Sequence, residues 1–450
     1  MKMEQTTEKN SRNFNTPWIK CIYGRLAFLC ISAAIIRYWI IFFSNYQNII
    51  ANHLEVSTPL NAWKRVKEGL YLQSIGINPY EGDALHEAPT SLYFYRYLTE
   101  NISLSTGIIF IIFDIITAIV LFLATRQYMF MVYVEREVNK KKYAKDTEEY
   151  LYTNMDLRRA PIYVAATFLF NPYTIFNCVG FATTTIFNCF LSLFLYFLLS
   201  RKAYWSSFFL SICSTVSIYS VVLVVPMWLQ FYKQFNGKLR AVLSILYFTL
   251  NLILLLYIAF ILERSGTFLH SVYGFTLTVS DLKPNIGLFW YFFTEMFDHF
   301  RELFIYSFQI NATILYLIPL ALKFRNDVFL LITALLYILT IFKSYPCVGD
   351  VGLVIGLLPC FKHLFNYSQQ QFLILVIYLV TFCLGPIVWH LWIYSNSANA
   401  NFYFGVTLAF AVAQIFLVTD ILFVYIKREF SLYFGKKRKI KGKDAILVLE

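Results

Sequence analysis

The amino-acid sequence predicts an all-α polytopic membrane protein with about twelve crossings, and three observations carry that expectation. Of its 450 residues 58% are hydrophobic and 14% charged, whereas soluble domains are about half apolar and about a quarter charged; mean hydropathy is +0.58. Apolar runs long enough to span a bilayer recur along the chain. Lys and Arg, 38 against 26 acidic residues for a net charge of +12, gather in a few loops and at the C-terminus, the distribution that orients membrane proteins. This composition excludes a soluble enzyme, a disordered chain and a secreted disulfide scaffold. The basic balance is topological, so no nucleic-acid partner is expected. No CxxC pair exists, and Cys21, Cys30, Cys178, Cys189, Cys213, Cys360 and Cys383 lie in or beside apolar runs; neither a disulfide framework nor a zinc site is suggested, and no cofactor or metal is expected.

Residues 1–20 are polar and form a cytosolic tail before the apolar run Cys21–Phe43, which is too long for the core of a cleaved signal peptide and acts as a retained signal anchor. The stretch 44–105 is then the first luminal loop, followed by a second span, Thr106–Ala124. Residues 126–160 carry Arg126, Arg136, Lys140, Lys141, Lys142, Lys145, Arg158 and Arg159 and return to the cytosol. Further runs cover about 161–177, 180–200, 204–231, 241–262, 302–322, 327–342, 350–361, 371–394 and 402–426, closing a membrane domain of 21–426. The tail 427–450, with Lys427, Arg428, Lys436, Lys437, Arg438, Lys439, Lys441 and Lys443, is cytosolic. Two cytosolic ends require an even number of crossings, but eleven runs are visible. Parity is restored if 204–231 breaks near Val225-Pro226 and crosses twice. The luminal surface is then built from 44–105, the segment 263–300, 343–349 and 395–401.

Ionisable and amide residues inside the spans (Arg25, Arg37, Asp114, Asn188, Asn251, Gln414, Asp420) are costly in lipid and call for partners. The structural pairing on offer is Arg37 with Asp114. Three glycosylation sequons, at Asn101, Asn311 and Asn366, lie against, inside or on the cytosolic side of the membrane, so no glycan is expected.

The first luminal loop runs through Trp63-Lys-Arg65, Glu68-Gly69, Asn78-Pro-Tyr80 and His86-Glu87-Ala-Pro-Thr90: a short helix, a turn and a proline-containing return to the membrane. That layout resembles the first loop of GT-C glycosyltransferases that use dolichol-phosphate sugars, so a GT-C glycosyltransferase-like scaffold is expected. Such enzymes place an acidic pair before the helix to activate the acceptor. Here the stretch is Glu55-Val-Ser-Thr-Pro-Leu-Asn61, with a lone Glu55. Asp83, His86 and Glu87 offer a substitute cluster, or ordinary turn chemistry. Cys347 lacks a nearby histidine; His390 is the sole candidate partner.

Two dense polar and aromatic stretches identify a family. They are Val279-Ser-Asp-Leu-Lys-Pro-Asn-Ile-Gly-Leu-Phe-Trp-Tyr-Phe-Phe293 and Trp389-His-Leu-Trp-Ile-Tyr-Ser-Asn-Ser-Ala-Asn-Ala-Asn-Phe-Tyr403, with Phe342-Lys-Ser-Tyr-Pro-Cys-Val-Gly-Asp350 and Ala445-Ile-Leu-Val-Leu-Glu450. Together they resemble the class U subunit (PIG-U) family of GPI transamidase. The resemblance implies a non-catalytic, multi-pass subunit of the endoplasmic-reticulum membrane. Such a subunit works with PIG-K, the cysteine protease, and with PIG-T, PIG-S and GPAA1 or their equivalents. It binds and presents the GPI glycolipid, and as a further expectation the hydrophobic tail of precursors with C-terminal GPI signals. The alternative is a dolichol-phosphate-dependent GT-C glycosyltransferase of GPI biosynthesis; a flippase is a third class, with no inverted repeat visible.

A glycan with phosphates and amines calls for amides, a carboxylate and aromatic faces. The GPI-binding candidates are Asn399, Asn401, Asn285, Asp281, His390 and Trp392. The bland alternatives are a helix N-cap and turn for Asn399 and Asn401, caps of a helix following Pro284 for Asp281 and Asn285, and an interfacial belt or lipid-facing core for Phe289–Phe293.

Overall fold

The computed structural model describes residues 18–435 apart from positions 83, 103, 235 and 366, together with the backbone of 439–440 and 443–444. Asp83, parts of two sequons and the resembling stretch 445–450 therefore lie outside the described residues. Regular structure in the described chain is helical, save a two-residue antiparallel pairing of β1 (Lys439–Ile440) with β2 (Lys443–Asp444) and one isolated bridge between Ala62 and Ala182.

In order, the helices are α1 (Trp18–Phe43), α2 (Tyr46–Ala51), α3 (Trp63–Ser74), α4 (Pro89–Glu100), α5 (Thr106–Asn139), α6 (Asn154–Phe170), α7 (Pro172–Val179), α8 (Thr184–Leu199), α9 (Ala203–Val216) and α10 (Val224–Tyr232). There follow α11 (Gly237–Glu263), α12 (Phe275–Thr278), α13 (Phe289–Thr294), α14 (Asp298–Ile310), α15 (Leu317–Lys323), α16 (Val328–Phe342), α17 (Val348–Leu357), α18 (Lys362–Phe365), α19 (Gln371–Ile393) and α20 (Ala400–Phe434). Seven segments are long and apolar enough to cross a membrane, and the bent pair α6–α7 makes an eighth. Thr184–Leu199, Ile218–Tyr232 and Val328–Phe342 are shorter apolar helices.

Contacts between distant residues give the passes their directions. Arg126 meets the Tyr23 hydroxyl and Arg37 meets Asp114, so α1 and α5 are antiparallel. The Ser207 and Ser211 hydroxyls donate to the carbonyls of Ser244 and Phe248, in step, so α9 and α11 are parallel. Lys233 at the end of α10 donates to the Asn326 carbonyl just before α16, so α10 returns to the end from which α9 left. Asn78 of the first loop reaches Glu263 at the end of α11. Tyr403 meets Glu55, and Arg428 donates to the Tyr150 carbonyl, so α20 runs the length of the bundle. Traced this way, the described chain traverses the bundle twelve times: α1, α5, α6, α8, α9, α10, α11, α14–α15, α16, α17–α18, α19 and α20. Arg201, Lys233, Arg325, Lys362 and Arg428 collect at one end, called the basic end below.

The break in the predicted 204–231 run is real but lies elsewhere. Helix α9 stops at Ser217, which is extended (φ −138°), and a 3-10 turn, Ile218–Leu223, reverses the chain. Pro226 sits in the first turn of α10, where its missing N–H costs nothing. Small residues make the α9–α11 seam: Ser207, Ser211 and Ser244 are fully buried, and serine lets helix backbones approach closely while its hydroxyl bonds across them. Arg37 is 0% and Asp114 2% exposed, and their ion pair of 2.6 Å joins α1 to α5. The main core fills the interior between α5, α6, α8 and α16, with Phe168, Phe194, Leu195, Leu331 and Tyr337 at its centre. Outer helices expose apolar rows instead, such as Leu250, Ile253, Leu254, Tyr257 and Ile261 on α11. Such continuous patches suit lipid rather than water.

Candidate functional site

The end opposite the basic end assembles the four segments that carry most of the polar and aromatic sequence. After α1 the chain is held by Asn61. Its Oδ1 accepts from the Thr58 amide (2.6 Å) and hydroxyl (3.0 Å), and its Nδ2 donates to the Val56 carbonyl and to Thr184 on α8. A buried amide thus organises the stretch where a glycosyltransferase would place its acidic pair.

Glu55 lies in this loop, and its carboxylate accepts from the Tyr403 hydroxyl at 3.2 Å. It approaches α19 at Gly385, where a Cβ would come within 2.5 Å of Glu55 Oε1, so a larger residue there would push the Glu55 carboxylate aside. The surrounding side chains strip the carboxylate of water and push it up to about 7. Beside it, burial lowers His53 to about 4, and its ring meets the edge of Trp389.

Of the expected cluster, Asp83 lies outside the described residues, and His86 and Glu87 turn to different partners. His86 is 4% exposed, stacks on Phe275 at 3.5 Å and bonds the Ser271 carbonyl through Nδ1. Glu87 turns to α8, accepting from the Thr183 hydroxyl at 2.5 Å, and burial pushes it up to about 7. Between Asn61, Glu87, Thr184, Lys343 and Asp350 lies a cavity of about 70 Å³, room for a few waters and too small for a sugar. Cys347 caps α17, with its thiol 3.2 Å from Asp350 and 3.4 Å from Thr184. Burial and the Asp350 charge push that thiol up to about 12. His390, the candidate partner of Cys347, is exposed at the end of α19 and stacks on Tyr394.

Where α13 meets the α19–α20 corner, aromatic rings pack into one block. Trp290 is 3% exposed and lies against Trp392 (6.1 Å between centroids), Tyr403 and Phe404. Trp389 contacts both Trp392 and Tyr403, and Tyr291 stacks on Phe404 at 4.6 Å. Phe289 and Phe293 are fully buried against Phe308. The 289–293 run is therefore packed interior on three of its faces, with Phe292 left exposed. At the rim, Asn399 is the N-cap of α20, its Oδ1 accepting from the amides of Asn401 and Phe402. The Tyr291 hydroxyl donates to the Asn401 side-chain carbonyl, tying α13 to α20. Asn399 and Asn401 are exposed and Trp392 half-buried, so these three share one surface.

Asp281 and Asn285 do not cap a helix. The chain after Pro284 stays non-helical until Phe289. Asn285 is 1% exposed and closes a turn: its Oδ1 accepts from the Gly287 amide and its Nδ2 donates to the Lys283 carbonyl. Asp281 pairs with Lys283 (3.0 Å) and, at 4.0 Å, with Arg65 of α3. Its backbone carbonyl accepts from the Tyr345 hydroxyl. Sequence reasoning missed the Glu55–Tyr403–Gly385 contact; a glycine inside an apolar span is its one local signal, marking a close backbone approach.

Fold and site together define a polytopic helical membrane protein that presents a rigid aromatic and amide surface at one end of its bundle. The family model described as GPI transamidase subunit PIG-U matches residues 31–410, and the chain belongs to that family. It is 37% identical over 422 residues to the GPI-anchor transamidase component PIGU of Homo sapiens, covering 91% of this chain and 96% of that protein. Against the Mus musculus protein of the same description the identity is 37% over 422 residues. It is 28% identical over 392 residues to the GPI transamidase component GAB1 of Saccharomyces cerevisiae, covering 86% and 91%. The chain is thus a multi-pass component of a GPI transamidase.

Proposed function

We propose that this subunit is non-catalytic and holds the GPI glycolipid for transfer to protein C-termini, on the luminal side of the endoplasmic-reticulum membrane. The observation that carries the reading is the convergence of Asn399, Asn401 and Trp392 on one exposed surface backed by buried Trp290 and Tyr403. Rigid aromatic faces stack on sugars, exposed amides bond glycan hydroxyls and phosphates, and the apolar outer helices offer the acyl chains a lipid-like wall. His390 flanks this surface, while Asp281 and Asn285 belong to the loop beside it. A buried, proton-holding Cys347 makes a poor nucleophile, which supports cleavage by another chain of the complex. That role falls to PIG-K or its equivalent, with PIG-T, PIG-S and GPAA1 completing the assembly.

Replacing Asn399 and Asn401 by alanine is expected to lower GPI transfer to a reporter precursor while the partner subunits still co-purify. Normal transfer with normal expression removes both from the site. The glycosyltransferase alternative is separated by the lipid that accumulates on loss of the chain: complete GPI with uncleaved precursor supports the present reading, truncated GPI the alternative. The small polar cavity near Glu87 speaks for the first outcome.

A further inference from the structure

At the basic end, far along the bundle from the Asn399–Asn401 surface, a cavity of about 780 Å³ opens between the second half of α5, the ends of α8 and α10 and the start of α16. Its volume falls within the range of about 300–1,000 Å³ that small-molecule sites occupy. The walls are mostly apolar, with Met131, Val138, Leu199 and Phe329 among them, and are interrupted by amides such as Gln127 and Gln230. The rim is cationic, with Arg201, Lys202 and Lys233.

These cations differ in how far their charge is already balanced. Lys233 donates to the Asn326 carbonyl and lies in the field of Asp327 and Glu135, the two carboxylates of the lining. The Asp327 carboxylate is itself engaged, accepting from the Tyr128 hydroxyl and the Leu330 amide. Arg201 and Lys202 are exposed, and among the described residues neither pairs with a carboxylate. The Lys202 ammonium rests over the Phe197 ring at 5.7 Å.

The turn that carries them is fixed by its backbone. The Arg201 amide donates to the Leu198 carbonyl and that of Lys202 to the Phe197 carbonyl, with Arg201 left-handed at φ 60°. A non-glycine residue is disfavoured in this left-handed conformation, yet the turn sets two cations without carboxylate partners beside the recess. A surplus of charge at the mouth of an apolar recess matches an amphiphile whose head is an anion and whose tail is hydrocarbon.

We propose that this cavity is a second lipid site, in which Arg201 and Lys202 bind the phosphate of a glycerophospholipid whose acyl chain enters between α5 and α16. The chemistry shared with other sources is a phosphate oxyanion on an arginine and a lysine; the committed source is the surrounding bilayer. The site is independent of the GPI-holding surface, so its failure leaves that reading untouched.

The test uses the assembled complex in nanodiscs containing a photoactivatable phosphatidylinositol with its reactive group on the acyl chain. Cross-linking is expected on α5 or α16 peptides and is expected to fall about tenfold in Arg201→Gln/Lys202→Gln, since losing two charge-assisted contacts forfeits at least the 1.4 kcal/mol that a factor of ten represents. Val138→Trp, a change at an exposed position on the cavity wall, is expected to lower it as well without loss of the complex. Unchanged labelling in both variants overturns the proposal. So does equal labelling by the matching diacylglycerol, which lacks the phosphate, or displacement of the lipid by inorganic phosphate, which would make the site one for a free anion. Photolabel appearing instead on a partner subunit seated in the cavity overturns it too.

Discussion

Glu87 is 5% exposed and lies against Thr183, and burial lifts its carboxyl from 4.5 to about 7. The folded protein therefore holds a proton that the unfolded chain releases between those values, so stability falls as pH rises through that window. A shift of this size corresponds to roughly 3 kcal/mol. Glu87→Gln, which keeps an acceptor for Thr183 without the charge, is expected to flatten the pH dependence of thermal unfolding between pH 4.5 and 7 and to raise stability at pH 8. An unchanged slope would place the effect elsewhere. Glu55 has the same sign of shift, and its bond to Tyr403 places it directly beneath the aromatic block. Neither carboxylate announces itself in sequence as buried, because the partner of Glu55 lies 348 residues away. The reverse holds for Arg37 and Asp114. Two opposite charges in neighbouring apolar runs have few ways to avoid each other in lipid, and the pair was legible for that reason.

That pair belongs also to the scale of elements, because it is what fastens the outer helix α1 to α5. Removing one partner strands a buried charge, at about 3–5 kcal/mol, whereas replacing both by apolar residues is near neutral. Arg37→Met or Asp114→Asn is expected to lower the unfolding temperature of the purified complex sharply, and Arg37→Met/Asp114→Leu to recover most of it; a double variant as weak as either single one contradicts this. Apolar length identified most helices, but it misjudged where they end. The second span was expected to stop at Ala124, and α5 runs to Asn139 because Tyr128, Met129 and their neighbours still pack into the core. Proline drew attention to Val225-Pro226, yet the reversal occurs at Ser217, a residue with no distinctive turn signature. Backbone reversal there depends on what Tyr219 meets afterwards: its hydroxyl joins Gln309 and Ser344 from two later passes. Local sequence carries no record of such a network.

Over the whole molecule, the twelve passes traced through the described chain bring both of its described ends to the basic end, and the orientation proposed for the glycolipid surface puts that end in the cytosol. Glycosylation acceptors engineered into the exposed turn at Gly76-Ile77 are expected to be modified in microsomes, and acceptors placed within Lys140–Lys145 are not. The opposite pattern would invert the orientation proposed for the glycolipid surface. In the sequence, charge parity required only an even number of crossings, and the count of about twelve came from adding one to the eleven visible apolar runs. The candidate site was only partly legible. Asn399, Asn401 and Trp392 come from one contiguous stretch and stay together, whereas Asn285 and Asp281 looked equally polar but were consumed by turn and ion-pair bonds. Polarity in a sequence does not say which atoms the fold has already used.

That last distinction bears on the two surface asparagines. Each has its side-chain oxygen taken internally, Asn399 by the amides of Asn401 and Phe402, and Asn401 by the Tyr291 hydroxyl. Asn399 is left with only its NH₂ edge, which can only donate, while Asn401 offers its NH₂ edge and one remaining lone pair. Whatever rests on Asn399 must offer lone pairs, as phosphate and sugar oxygens do and ammonium groups do not. Asn399→Asp keeps the helix cap while exchanging a donor for a charge that repels phosphate. It is expected to impair GPI transfer at least as much as alanine does, with α20 and the complex intact; transfer equal to the unmodified protein would mean that the amide serves the helix alone.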